Sequence, residues 1–180
     1  MQSISNDNFG PLIAYLLPGA TVLISVSPSS PTLEGWFATS PATAPTIGGF
    51  LYITIASIAV GVTLNAFRWL LVDTIHGLTG LPIPMIDFGK LGENVEAFSL
   101  LVESHYRHYQ FYANMLIATA MGYSCYRWRR GDLSLGWIDL GIFVTEVVFF
   151  VTSRDTLRKY YSRTVQLLEK PGPVSRLISF

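Results

Sequence analysis

The twelve residues ESHYRHYQFYAN, at positions 103–114, concentrate side chains that could do chemistry. Glu103, His105 and His108 offer a carboxylate and two imidazoles, which are groups that bind zinc and act as general acids and bases. On a helix, however, Glu103 points away from the two histidines, and the chain contains no HExxH or HxxxH spacing. We therefore expect no metal site here, and expect both histidines to lie in an aromatic belt at a membrane interface.

The same stretch divides into a polar side and an aromatic side when it is placed on a helix at about 100° per residue. One line along the helix carries the polar residues Glu96, Glu103, Arg107, Gln110 and Asn114. The opposite side carries Phe98, His105, His108, Tyr109 and Tyr112. We predict that the polar line faces the interior of a helix bundle, and that the aromatic side contacts partners or lipid headgroups.

Two carboxylates interrupt the apolar stretch LSLGWIDLGIFVTEVVFFVTS, residues 133–153. Asp139, Glu146 and Ser153 are spaced seven residues apart and therefore share one helix face. A charge at membrane depth is costly, so this face should be turned to the protein interior or to water. Three roles are open for Glu146: a packing bond to Arg68, Arg107, Asn65 or Asn114, a place on an ion or proton path, and acid or base catalysis.

Two groups of site residues are predicted from these patterns. We predict an intramembrane polar seam of Asn65, Arg68, Asn114, Asp139 and Glu146. We predict a cytoplasmic mouth to this seam, formed by Glu96, Glu103, Arg107 and Gln110. Motifs for a nucleophile triad or a phosphate-binding loop are absent from the sequence, so we assign no catalytic residues, no metal and no cofactor.

The composition of the 180 residues indicates a membrane protein. Half of the residues are hydrophobic and only 13% are charged, whereas charged residues make up about a quarter of an ordinary soluble domain. The formal net charge is zero, which argues against binding to nucleic acid. Cys125 is the only cysteine, which rules out an internal disulfide.

Four stretches are apolar enough to be predicted as membrane spans, at about 11–27, 47–68, 109–127 and 133–153. The second span should continue as a helix to His76, and the third should belong to a helix from about Glu93 to Trp128. The fourth should continue into a cytoplasmic helical tail, residues 154–180, with the helix running until Pro171. The predicted fold class is thus all-α: a single membrane-embedded domain, residues 1–180, with four transmembrane helices and a cytoplasmic helical layer.

Local sequence features predict details of the first three spans. Pro18 has no N–H to donate to the carbonyl of Ala14, so the first span should kink or unwind, and another helix or water should satisfy the freed backbone. The small pairs Ser57 with Gly61 and Ala118 with Gly122 allow close helix approach but do not specify the partner helix. The loop after the first span, SPSSPTLEGWFATSPATAPT, is typical of turns and extended chain.

The distribution of basic residues predicts the orientation. Four spans put nine lysines and arginines on the side of the termini and three on the other side. Because cytoplasmic loops are enriched in lysine and arginine, we predict that both termini are cytoplasmic. The predicted location is a cell membrane, and a bacterial inner membrane is the favoured one.

Three classes of function fit this sequence. The first is a channel, pore or membrane-perturbing effector, assembled as a homo-oligomer in the bilayer and gated through its cytoplasmic helices. The second is a membrane-anchored sensor or scaffold that signals to a soluble partner through the same helices. The third is an intramembrane enzyme on a lipid-like substrate, with Glu103, His105, His108 or Glu146 as acid or base. The first is preferred, and a non-enzymatic function is favoured.

Overall fold

The computed structural model describes residue 10 and residues 12–37, 47–131 and 134–169, which are helical over most of their length and contain no β-strand. The α-helices are α1 (Leu17–Val26), α2 (Pro31–Phe37), α3 (Ile47–Arg68), α4 (Thr74–Leu78), α5 (Val95–Leu101), α6 (Arg107–Arg130) and α7 (Trp137–Glu169). Single π-helical turns lie at Leu12–Leu16, Trp69–Asp73 and Val102–Tyr106, and 3-10 turns lie at Ser27–Ser29, Phe88–Lys90 and Gly92–Asn94. The predicted all-α class is confirmed.

The long predicted helices are present. A π-helical turn joins α3 to α4 and another joins α5 to α6, so each pair forms one continuous helix. Gly131 ends α6 in the left-handed conformation with φ 63°, which a residue without a Cβ adopts at little cost. Helix α7 runs unbroken from Trp137 to Glu169, as its uninterrupted pattern predicts.

Helix α6 lies at the centre of the fold. It packs against α1 and α3 on one side and along α7 on the other. One core cluster joins Val22, Leu64 and Ala118 from α1, α3 and α6. A second joins Val72, Tyr109, Ala113 and Leu157, and so ties the turn after α3 to α6 and α7. Both sides of α6 are therefore covered by protein.

Small residues set the close approach of α1 to its neighbours. A Cβ added at Gly19 would overlap with the carbonyl oxygen of Ser57, and one at Gly61 would overlap with the carbonyl oxygen of Tyr15. A Cβ at Gly122 would lie 2.5 Å from the hydroxyl oxygen of Ser25. The small residues that the sequence marks on α3 and α6 thus make room for α1 rather than for each other.

Apolar side chains cover the outer faces of α3 and α7. Phe50, Ile55 and Val62 are exposed on α3, and Phe143 and Val148 are exposed on α7. Two helical stretches, Leu12–Ser29 and Gly48–Leu78, are long and apolar enough to cross a membrane. The third and fourth predicted spans are not among them. The third carries polar residues such as Gln110 and Asn114, which lower its hydropathy, and the fourth carries the charged residues Asp139 and Glu146.

The loop prediction after the first span is wrong at Pro31–Phe37, which forms helix α2. Pro31 begins this helix, and proline is tolerated in a first helical turn because its missing N–H would have no partner there. Residues 38–46 of this loop, residues 1–9, and the end of the predicted tail at 170–180 lie outside the described residues.

Candidate functional site

The predicted cytoplasmic mouth forms a hydrogen-bonded chain along α6. Glu103 and Arg107 form an ion pair at 3.6 Å, and Arg107 Nη1 donates to Gln110 Oε1 at 3.1 Å. Gln110 Nε2 in turn donates to the Tyr15 hydroxyl at 3.2 Å and to Asn65 Oδ1 at 3.4 Å. The chain therefore leads from a half-exposed carboxylate into the contact between α6, α3 and the turn before α1.

Glu96 does not join this chain. It lies exposed on α5, before the π-helical turn Val102–Tyr106 in which Glu103 lies. A π-helical turn adds a residue to the helix and rotates the helix beyond it, so the straight 100° register used for the sequence does not hold across the turn. The structure brings together Glu103, Arg107 and Gln110 without Glu96.

Asn114 continues the polar line into the bundle. Its side chain is fully buried, and its Nδ2 donates to the carbonyl oxygen of Ala14 at 2.9 Å. That carbonyl lies four residues before Pro18, which has no N–H to offer it. The predicted satisfaction of this backbone by another helix is confirmed, although the chain before Pro18 forms a π-helical turn rather than unwinding.

Arg68 is buried at the end of α3, with 4% of its side chain exposed. It forms an ion pair with Asp73 at 3.8 Å, and its guanidinium carbon lies 5.0 Å from the ring centre of Tyr109 and 5.8 Å from that of Tyr106. The Tyr109 hydroxyl donates to Asp73 Oδ1. Nε and Nη1 of Arg68 have no hydrogen-bond partner among the described residues. The two aromatic rings and the carboxylate of Asp73 therefore offset the cost of burying the guanidinium charge.

His76 is fully buried on α4, between α6 and α7. Its Nε2 lies 3.1 Å from the hydroxyl oxygen of Ser153, and its ring lies 5.1 Å from that of Phe150. Nearby, Arg154 donates to the hydroxyl and the carbonyl oxygen of Thr79, at 2.5 Å and 2.7 Å. These contacts fix the end of the long α3–α4 helix against α7.

The predicted aromatic side of α6 is not free for partners or headgroups at Tyr109. This residue is 1% exposed and packs against Arg68 and His76. The prediction is wrong there because α7 covers the side of α6 that lies opposite α1 and α3. His108 is exposed, while His105 is half-buried with its Nε2 2.5 Å from Nη1 of Arg163.

Arg68, Asp73, Tyr106 and Tyr109 form a cluster that we name the aromatic junction, and it lies close to two tyrosines of α7. The pKa of Tyr161 is raised to about 12, first by its burial and then by the negative charge of Asp73. Burial also raises the pKa of Tyr160, with a smaller contribution from Tyr106. Both phenols therefore stay neutral at physiological pH and act here as packed rings rather than as charges.

Asp139 is the centre of a polar cluster where the end of α6 meets the start of α7. Its Oδ1 accepts from the Tyr123 hydroxyl at 2.6 Å and lies 3.4 Å from Nη1 of Arg127. Its Oδ2 accepts from the backbone N–H of Gly136 at 2.5 Å, just before α7 begins. Both oxygens are thus bonded, and Asp139 anchors the start of α7 as an N-terminal cap does.

Glu146 has a different environment, although it lies on the same face of α7. Its Oε1 accepts from the Thr119 hydroxyl at 2.7 Å, while its second oxygen has no partner among the described residues. The predicted bonds to Arg68, Arg107, Asn65 and Asn114 do not form, because those residues have closer partners of their own. Glu146 instead lines an open groove between α6 and α7.

This groove, named the α6–α7 groove, has a volume of about 570 Å³. Its walls are mainly apolar, and Asp139 and Glu146 contribute its carboxylates. It is lined by Ala120, Tyr123, Ser124, Leu135, Gly136, Asp139, Leu140, Ile142, Phe143 and Glu146. Both carboxylate oxygens of Asp139 have hydrogen-bond partners. Among the described residues that line the groove, Oε2 of Glu146 is therefore the carboxylate oxygen without one.

The predicted intramembrane seam is therefore divided into three places. Asn65 and Asn114 lie with the mouth residues, Arg68 lies in the aromatic junction, and Asp139 and Glu146 line the α6–α7 groove. Sequence reasoning missed the half-buried Asp73 as the partner of Arg68 and the buried His76 as the partner of Ser153. The signal in the sequence is the position of both residues in the helical pattern after Arg68. Ionisable side chains in such an apolar helix usually have a partner inside the protein.

Comparisons with protein-family models, curated proteins and solved structures find no match to this chain. Within the described ranges, no three side chains from histidine, cysteine, aspartate and glutamate come together in a way that could hold a metal ion. The predicted site residues lie in the mouth, the aromatic junction and the α6–α7 groove.

Proposed function

We propose that this protein is a small multi-pass membrane protein that assembles from several copies into a channel or pore, gated through its cytoplasmic helices. The single observation that carries the proposal is the carboxylate of Glu146, which has one hydroxyl partner, no described ion pair and an open groove before it. A charge in this position requires water, a ligand or a neighbouring copy, since lipid tails cannot solvate it.

The proposed topology has four spans, at about 11–27, 47–68, 109–127 and 133–153, with both termini in the cytoplasm. The apolar outer faces of α3 and α7 support lipid contact for the second and fourth spans. The first half of α6, up to Thr119, has little free surface for lipid, because α1, α3 and α7 pack around it. Its polar residues are thereby compatible with membrane depth, as a central helix need not be apolar all round.

Oligomerisation is proposed because one copy is too tightly packed to conduct. Asn114 is fully buried, Gln110 is 4% exposed, and the α1–α3 contact leaves no room for a Cβ at Gly19 or Gly61. An ion path is therefore better placed between copies, with the α6–α7 grooves turned toward it. A ring of Glu146 carboxylates on such a path would favour cations.

The π-helical turns support a gating role for the cytoplasmic helices. Each of the three turns, Leu12–Leu16, Trp69–Asp73 and Val102–Tyr106, has a residue in contact with a neighbouring helix. Tyr15 and Asp73 form hydrogen bonds with Gln110 and Tyr109 of α6, and the ring of Tyr106 lies against the guanidinium of Arg68 at the end of α3. A π turn that converts to an α turn shifts the following helix by one residue, or about 100° of rotation. Movement of α5 or α7 would thus reach the spans through these contacts.

The test is cation flux from reconstituted vesicles, measured for the parent and for two variants of Glu146. Glu146→Gln keeps the hydrogen-bonding shape and removes the charge, so it should fold, assemble and lose or alter flux. Glu146→Leu should in addition lower thermal stability, since the Thr119 hydroxyl loses its carboxylate partner. A strictly monomeric parent, or a parent without flux under any trigger, would reject the pore. Identical flux in the parent and Glu146→Gln would reject the role of Glu146 in the ion path.

A second candidate function is favoured by a groove in the cytoplasmic layer. It has a volume of about 330 Å³ between α5 and the end of α7, and is lined by Ala97, Leu100, Leu101, Ser104, Arg163, Gln166 and Leu167. Leu100 is 65% exposed there. Such an apolar groove with an arginine at its edge suits a soluble partner, and supports a membrane-anchored sensor or scaffold if the parent shows no flux under any trigger.

A further inference from the structure

We infer that the α6–α7 groove is a binding site for a lipophilic amine: a molecule with a compact apolar body and one ammonium group that donates to Glu146. The inference deepens the proposed function at the same residue, Glu146. Only its expectation that the amine blocks cation flux rests on the proposed function. Binding itself rests on the groove.

The ammonium position is given by the free oxygen of Glu146. Thr119 occupies Oε1, and Glu146 has no described cation beside it. Arg127, the cation near the far end of the groove, is instead 3.4 Å from Asp139 and donates to the carbonyl oxygen of Ser134 at 2.8 Å. An incoming N⁺–H would therefore complete both the charge and the hydrogen bonding of Glu146.

The apolar body is given by the walls of the groove. Ala120, Leu140, Ile142 and Phe143 line it together with Leu135. Phe143 is 66% exposed and Leu140 is 52% exposed, so a bound apolar group would cover surface that one copy leaves open. A volume of about 570 Å³ lies within the range of small-molecule sites, which combine apolar walls with few polar groups.

The neighbouring carboxylate does not compete for the ligand. Asp139 already accepts from Tyr123 and from the backbone of Gly136, and it pairs with Arg127. A ligand that bound Asp139 would have to break these contacts at the start of α7. The groove therefore distinguishes one charged end from its apolar remainder, which is the pattern of an amphiphilic amine rather than of a metal ion or a dication.

The experiment compares 1-aminoadamantane with uncharged 1-adamantanol, which has nearly the same shape, by equilibrium binding to the purified full-length protein in detergent. Saturable binding of the amine to the parent is expected, with about one site per chain. Glu146→Gln should weaken amine binding at least tenfold and leave binding of the alcohol unchanged, because only the charge interaction is lost.

Two alanine-to-phenylalanine variants test whether the amine binds in the α6–α7 groove. Ala120→Phe fills the groove and should weaken the binding of both compounds, whereas Ala59→Phe adds the same ring to an exposed position of α3 and should leave both unchanged. Size-exclusion profile and thermal unfolding establish that each variant is folded. If Ala120→Phe does not fold, Ser124→Leu replaces it as the groove-filling variant. The dependence on charge is in either case decided by Glu146→Gln.

Equal amine affinity in the parent and Glu146→Gln, or amine affinity unaffected by filling the groove, would overturn the inference. A second measurement separates it from the proposed function: the amine should block cation flux in vesicles carrying the parent. Saturable, Glu146-dependent binding in a protein without flux would keep the site and reject the pore. Flux that depends on Glu146 without saturable amine binding would keep the pore and reject the site.

Discussion

Asn114 donates its side-chain amide to the carbonyl oxygen of Ala14, across the contact between α6 and the turn before α1. The bond replaces a backbone hydrogen bond that Pro18 removes, because a proline four residues on cannot donate to that carbonyl. A fully buried amide in the centre of the fold thus has a specific backbone partner one hundred residues away in sequence.

Replacing Asn114 with leucine should destabilise the protein by about 1–3 kcal/mol, because the buried Ala14 carbonyl then has no donor. The cost should be smaller in a Pro18→Ala background, where an N–H becomes available to the same carbonyl. Thermal unfolding of the two single variants and the double variant gives this coupling. Additive effects of the two changes would contradict the assigned partnership.

Gly61→Ala should destabilise the protein, whereas Gly141→Ala should stabilise it slightly. A Cβ at Gly61 would overlap with the backbone of Tyr15, while a Cβ at Gly141 meets no atom within 4 Å. In a helix without such an obstacle, alanine is favoured over glycine by up to about 1 kcal/mol. Opposite shifts of the melting temperature check both the close α1–α3 contact and the exposed face of α7, and shifts of the same sign would contradict them.

Arg68→Met should destabilise the protein strongly, by about 3–5 kcal/mol, because it removes the buried cation and leaves Asp73 without its charged partner. Adding Asp73→Asn to this variant should recover part of the loss, since the uncompensated carboxylate is then absent. Arg68→Lys should not restore parent stability, because an ammonium lacks the planar group that lies against Tyr106 and Tyr109. Chemical or thermal unfolding measures the series, and equal stability of the Met and Lys variants would argue against the aromatic contribution.

The phenol of Tyr161 should ionise at about pH 12, above the usual value for tyrosine, because burial and Asp73 both disfavour its anion. A raised pKa of this kind contributes stability that is complete below about pH 10 and is lost as the pH rises through about 12. Ultraviolet titration of the parent minus Tyr161→Phe isolates this group. Asp73→Asn should lower its pKa, and an unchanged midpoint would show that Asp73 does not act on it.

The four-span topology predicts that residues 38 and 175 lie on opposite sides of the membrane. Ala38→Cys and Ser175→Cys, each in a Cys125→Ser background, should therefore react with a membrane-impermeant thiol reagent from opposite sides. Residue 175 should be accessible from the cytoplasm, following the nine-to-three bias of basic residues. Labelling of both from one side would reject four spans, and labelling of residue 175 only from outside would invert the orientation.

Helix content was predictable from the sequence because it depends on local pattern. Long runs without proline define α3, α6 and α7, and Gly131 marks the end of α6. The seven-residue spacing of Asp139, Glu146 and Ser153 likewise predicts one shared face on α7, and all three contact neighbouring helices. Helix α2 was missed because it lies within a stretch rich in serine, proline and threonine, which has the composition of a loop.

Partner choice was decided by the tertiary structure. The sequence places Arg68 and Glu146 at positions where they could pair, but Arg68 binds Asp73 and two tyrosine rings, while Glu146 binds Thr119. Tyr109 was assigned to an outer face, and it became buried because α6 is the central helix and α7 covers that face. Periodicity along one helix gives the angle of each side chain about that helix, whereas its neighbours depend on how several helices rotate and cross, and that is determined only when they pack together.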